Sequence, residues 1–275
     1  MIRALPAMLF LALCACGAVE PRPSRAKQSD APFAPCPTTL PPEMVCIPGG
    51  TFVRGDDRDL HASPAERVTV STFLIDVHEV TNAAWSACVA EGACRRLTRF
   101  AGYMGAQQPA VAMRWDEAQA FCARRGARLP TEAEWERAAS GPDDTRFPWG
   151  DRAGRDCEHA IVETDDGHGC GRDTTWPVMS RPAFGFGLHD MGGNVWEWVA
   201  DAYAPCYRGC DHACGDACAG LDPRGPSGER LRVVRGGSWW HDVDRATVTA
   251  RRGIPADNPN PHRFGFRCAA DVSAR

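Results

Sequence analysis

Between residues 66 and 75, Val68, Val70, Thr72 and Leu74 alternate with more polar neighbours, the period of a half-buried β-strand. Downstream the period lengthens. A short helix is expected after Thr81, whose hydroxyl can cap the first free amides; Trp85, Cys88 and Val89 share one face, and Gly92 ends it. A second helix is predicted over 116–125, with Ala118, Phe121, Cys122 and Arg125 in one stripe and Gly126 as its stop. The third carries the sharpest signal: Thr131 followed three positions later by Glu134 reads as a capping box, with Trp135, Ala138 and Ala139 on the buried face. Beyond Gly141 the sequence reads mostly as loop, with strands expected over 230–235 and 263–269, where Phe264, Phe266 and Cys268 alternate inward.

The N-terminus follows a different logic. Arg3 precedes an apolar stretch over 4–13, too short to span a bilayer, and the stretch ends in Leu13-Cys14-Ala15-Cys16-Gly17. That ending resembles a bacterial lipobox, so residues 1–15 are expected to be a lipoprotein signal peptide and Cys16 the lipid-bearing residue. An ordinary secretory signal is the alternative. Both readings export the chain; a lipid on Cys16 would tether it to the cell envelope, and Gly17 points to the outer membrane where there is one. Residues 16–42, with Pro21, Pro23, Pro32, Pro35, Pro37, Pro41 and Pro42, read as a tether, leaving 43–275 as one domain.

Composition narrows the class. The 275-residue chain is 44% hydrophobic and 24% charged, which suits a globular core, and its net charge of −4 gives no nucleic-acid footprint. Gly (27) and Pro (22) are abundant and scattered, so a turn-rich α+β fold with little regular structure is expected. Setting aside Cys14 and Cys16, twelve of the 14 cysteines remain, an even number in an oxidising compartment. Proximity pairs Cys36 with Cys46, Cys88 with Cys94 and Cys157 with Cys170, and would leave Cys122 for Cys268, although sequence does not fix connectivity. Cys206, Cys210, Cys214 and Cys218 recur every four residues, read as a stapled surface insertion over 203–220, with a metal site as the alternative.

Several segments resemble the formylglycine-generating-enzyme (sulfatase-modifying-factor) family, in that family's order. They are Ile47-Pro48-Gly49-Gly50-Thr51-Phe52, Phe73-Leu74-Ile75-Asp76, Glu79-Val80-Thr81-Asn82, Arg128-Leu129-Pro130-Thr131-Glu132-Ala133-Glu134-Trp135-Glu136, and Pro148-Trp149-Gly150. Then follow Gly187-Leu188-His189-Asp190-Met191, Gly193-Asn194-Val195-Trp196-Glu197-Trp198, Arg235-Gly236-Gly237-Ser238-Trp239 and Gly265-Phe266-Arg267-Cys268. The resemblance implies an elaborated C-type-lectin-like fold.

It also implies site residues. A structural calcium ion would take the side chains of Asp190 and Glu197 and the carbonyls of Gly193 and Val195, against the alternative of a hydrogen-bonded turn. A second calcium loop would fall between Cys157 and Asp173; its ligands are not cleanly matched, and Asp165, Asp166 and Asp173 read as solvated charges. Active members bind copper(I) through two cysteines, and those positions fall on His241 and Ala246, so copper is not expected. His241 and Ser238 are the remaining catalytic candidates. The favoured function is a non-catalytic module binding a peptide or a glycan; in active relatives a peptide groove lies near Ser238, Trp239 and Trp196, although core is the favoured reading of these aromatics. The alternative is a metal-dependent oxidoreductase, an iron version of which would need His159, His168, His189, His241 or His262 to converge.

Overall fold

The computed structural model describes residues 33–98, 100–153, 157–228, 230–258 and 263–272. The export signal, Cys16 and His262 lie outside them.

The expected strand over 66–75 is two strands. β3 (Glu66–Val70) and β4 (Phe73–Asp76) are separated by Ser71 and Thr72, because Asp222 ties down the Ser71 amide and hydroxyl, each at 2.7 Å. β4 pairs antiparallel with β1 (Met44–Ile47) and β9 (Ala269–Asp271), while β3 pairs with β2 (Gly50–Arg54). The third sheet runs β7-β6-β5-β8. Its central strands are β5 (Trp196–Ala202) and β6 (Leu231–Arg235), flanked by β7 (Arg251–Pro255) and the parallel β8 (Phe264–Phe266). β1, β2, β5 and β7 had no clear sequence signal. Trp196, Glu197, Trp198 and Val199 are all buried, so β5 is covered on both faces and shows no alternation. The same holds around β8, where Gly265 and Arg267 are as buried as Phe264, Phe266 and Cys268.

The helices match the capping signals closely. α1 (Asn82–Ala90) starts at Thr81, whose hydroxyl accepts from the Ala84 amide; α2 (Trp115–Arg124) begins one residue earlier than expected. α3 (Glu132–Ser140) has the full capping box: Thr131 Oγ1 accepts from Glu134 N at 3.1 Å and Glu134 Oε2 from Thr131 N at 2.7 Å. Thr131→Ala should lower stability by about 1 kcal/mol, read from chemical denaturation. A change under a few tenths would show that packing alone holds the helix start.

All four proposed cysteine pairings are present, and Cys206–Cys210 and Cys214–Cys218 complete the set. Two sequence readings need correction. The Cys-rich insertion is not simply a surface appendage, because Cys206, Tyr207 and Cys218 are buried and the Arg54 guanidinium lies 3.7 Å from the Tyr207 ring centre. The end of the proposed tether is fastened to the domain: Thr72 Oγ1 donates to the Ala34 carbonyl at 2.5 Å, and Cys36 is cross-linked to Cys46.

Inside, charge is buried on a large scale. Glu132 accepts from Arg251 Nε at 2.5 Å and Nη2 at 3.0 Å, and from Arg235 Nη1 at 3.2 Å; Arg235 also pairs with Glu136. This network joins α3 to β6 and β7.

Candidate functional site

The loop after β6 folds tightly onto its surroundings. Gly237 has φ 77, and a Cβ there would lie 2.5 Å from the Arg245 carbonyl, so only glycine lets the two segments close. Backbone bonds then lock the loop: Trp239 N donates to Asn194 O at 2.9 Å, Gly169 N to Trp239 O at 2.7 Å and Glu163 N to His241 O at 2.8 Å.

Trp239 and Trp196, read from the sequence as core in preference to a groove lining, are at most 2% exposed, and Ser238 is buried with them. Ala246 is buried as well. What reaches solvent at this corner is Trp240, His241, Arg245 and Arg252, with Arg263 half-buried beside them.

His241 is held from two sides. Its Nδ1 lies 2.9 Å from Ser238 Oγ and 3.4 Å from Trp196 Nε1. An indole N–H and a guanidinium N–H only donate, while the Ser238 hydroxyl can donate or accept. Nε2 in turn faces Arg252 Nη1 at 3.4 Å. Burial, followed by the charges of Arg252, Arg263 and Arg245, lowers the His241 pKa to about 4, with Asp242 opposing. An unfolded histidine takes up its proton near pH 6.5, so in the window from about 6.5 down to about 4 the unfolded chain binds the extra proton. This contribution to stability is therefore present above 6.5 and lost as pH falls through that window. An NMR titration should place the His241 midpoint near pH 4; a midpoint at or above 6 would remove the argument.

The two faces of Trp240 are both covered. The His168 ring stacks on it with centroids 3.8 Å apart, and the Arg263 guanidinium lies 4.4 Å from its ring centre. Two groups that close to one ring centre cannot share a face without overlapping. The other histidines of the iron reading have separate partners: His159 stacks on Trp149, and His189 Nδ1 bonds Arg181 O at 2.8 Å. Among the described residues no three His, Cys, Asp or Glu side chains converge as a metal-binding group.

The proposed calcium ligands sit in a tight turn before β5. Asp190 (φ 58), Gly193 (φ 84) and Asn194 (φ 52) take left-handed conformations, and a Cβ on Gly193 would lie 2.4 Å from the Ile161 carbonyl. Glu197 is already engaged, accepting from Arg267 at 2.7 and 2.8 Å and from Trp135 Nε1 at 2.8 Å. Asp190 accepts from Met179 N at 2.8 Å. Sequence reasoning missed Glu79. It is fully buried, and neither carboxylate oxygen has a hydrogen-bond partner. Burial, then Asp190 and Glu197, raises its pKa well above the usual carboxylate range; burial likewise raises that of Asp190. Glu79, Asp190 and Glu197 thus lie within electrostatic reach of one another and of the single positive charge of Arg267, without converging as a three-carboxylate metal group. The loop carboxylates Asp165, Asp166 and Asp173 are exposed, and the Cys157–Cys170 bridge spans that segment.

Comparison with known proteins agrees with this architecture. The family described as "Sulfatase-modifying factor enzyme 1-like domain" matches residues 30–272. A formylglycine-generating enzyme of Thermomonospora curvata is 33% identical, covering 86% of this chain and 95% of its own. The mouse "Inactive C-alpha-formylglycine-generating enzyme 2" is 30% identical over 84% of this chain and 86% of its own. Among solved structures, PvdO from Pseudomonas aeruginosa superposes with TM-score 0.67 at 26% identity, covering 83% of this chain and 94% of PvdO. With the motifs in order, the α+β fold and these relatives in agreement, the chain belongs to the formylglycine-generating-enzyme (sulfatase-modifying-factor) family.

Proposed function

We propose that this chain is an exported lipoprotein whose formylglycine-generating-enzyme-like domain binds a ligand, peptide or glycan, and does not perform copper-dependent cysteine oxidation. The carrying observation is chemical: His241 and Ala246 stand where the resemblance puts two thiolates, and every cysteine among the described residues is in a disulfide. Copper(I) favours paired soft sulfur donors. One imidazole ringed by three guanidinium groups offers neither the pair nor an electrostatic welcome for a cation. The mouse relative named as inactive supplies a precedent for a family member without this activity.

Incubating the full chain with copper(I), oxygen and a Cys-containing sulfatase peptide should leave the peptide mass unchanged. An aldehyde product overturns the reading. Export and anchoring rest on the sequence over 1–16; labelled palmitate should enter the wild-type chain and not Cys16→Ser, and equal labelling would sink the lipid assignment.

The same reading includes a structural calcium ion held by Asp190, Glu197 and the carbonyls of Gly193 and Val195. The ion would neutralise buried charge and pin the turn before β5. Saturation at 100 times Kd corresponds to about 2.7 kcal/mol of added stability, so a chelator should lower Tm by several degrees, and calcium should restore it. An unchanged Tm together with no bound calcium by elemental analysis would rule the ion out.

A further inference from the structure

The ligand class follows from the corner around His241. Arg245, Arg252 and Arg263 gather there, and none has a carboxylate partner among the described residues. The nearest acidic groups are otherwise placed: Glu163 lies 3.5 Å from His168 Nδ1, and Asp242 and Asp244 are exposed. Arg263 Nε is buried with no hydrogen-bond partner. Like charges gathered without counter-ions repel one another, and burial together with Arg252 disfavours the charged form of Arg263.

The histidine adds a second, independent observation. Donor N–H groups face both of its ring nitrogens, Trp196 Nε1 at Nδ1 and Arg252 Nη1 at Nε2, each at 3.4 Å. A neutral imidazole has one lone pair, so one of these two donors is left without an acceptor there.

We propose that this corner receives a side-chain carboxylate of an acidic peptide, which accepts from Arg252 and Arg263 and lies against His241, with Arg245 beside it. The inference deepens the binding reading given above and rests on it. Peptide is favoured over glycan by the aromatic geometry. Sugar recognition by stacking needs an open ring face, and here Trp196 and Trp239 are buried while both faces of Trp240 are covered by His168 and Arg263. Guanidinium donors remain, and these match carboxylate geometry.

The test uses the full chain and fluorescence anisotropy. The probes are a labelled octapeptide alternating Ser with Glu, the same peptide with Gln for Glu, and a labelled oligogalacturonate. The Glu peptide should bind and weaken steeply with added salt, and the Gln peptide should bind at least tenfold more weakly. Arg252→Ala and Arg263→Ala should each reduce affinity for the Glu peptide roughly tenfold, with Tm as the control for folding. The site-specific signature is His241: an anion beside it should raise its NMR titration midpoint in the wild-type chain. Equal binding of Glu and Gln peptides, or a His241 midpoint unmoved by the Glu peptide, overturns the inference. So does tight binding of the oligogalacturonate without the peptide, which would assign the corner to acidic sugars. None of these outcomes yields an aldehyde, so they are distinguishable from a failure of the non-oxidase reading.

Discussion

Replacing Glu132 with alanine is expected to lower the unfolding free energy by about 3–5 kcal/mol, the range for removing one partner of a buried ion pair. Glu132 is 3% exposed and is the carboxylate between Arg251 and Arg235, which are 4% and 0% exposed. The Tyr207 hydroxyl donates to it as well, at 3.3 Å. Arg235 would keep Glu136, but Arg251 would lose both of its charge-assisted bonds and retain only the carbonyls of His61 and Ala204. Charge makes the pair expensive to break: the surviving guanidinium stays desolvated whether or not its partner is there. At this chain length the loss corresponds to a fall in Tm of roughly 6–20 °C, read by calorimetry. A loss below 1 kcal/mol would mean that water reaches Arg251 in the variant, and that the network is less enclosed than the structure shows. Glu132→Gln keeps the shape and one acceptor and should fall between the two.

The second large effect concerns cross-links of very different span. The Cys122–Cys268 bridge joins α2 to the end of β8 across 146 residues, whereas Cys206–Cys210 spans four. If a disulfide acts chiefly by restricting the unfolded chain, the long loop is worth more, by about 3 kcal/mol. Cys122→Ser with Cys268→Ser should therefore cost about 3–5 kcal/mol, and Cys206→Ser with Cys210→Ser clearly less. Equal losses from the two double variants would show that local packing of the sulfurs, not chain entropy, sets their contribution. Both cysteines of the long bridge are fully buried, so some packing loss accompanies its removal.

The two effects bear on the site through one scaffold. α3, β6 and β7 are bound together by Glu132, Arg235 and Arg251. The loop carrying Ser238 and His241 leaves β6, and Arg252 follows Arg251 on β7. Alternation along β7 sends Arg251 inward to the buried carboxylate and Arg252 outward to the histidine corner. The corner is thus held by structural ion pairs one residue away from Arg252.

What the sequence by itself determined were the features with local causes. Thr81 and Thr131 announce their helix starts because capping involves residues three positions apart, and Gly92 and Gly126 mark the ends because only their backbones readily turn left-handed. Close cysteine pairs were equally legible. The tertiary structure alone decided the rest. β5 lacks alternation because both faces are covered, so no two-residue period exists to be read. Glu79 lies more than a hundred residues from Asp190 and Glu197, and nothing near it in the chain marks it as buried and unpaired. The gathering of Arg245, Arg252 and Arg263 beside a neutral His241 was hidden for the same reason. Arginine looks alike along a chain whether its charge is solvated, paired or left waiting for an anion, and only the surrounding chain sets which of these holds.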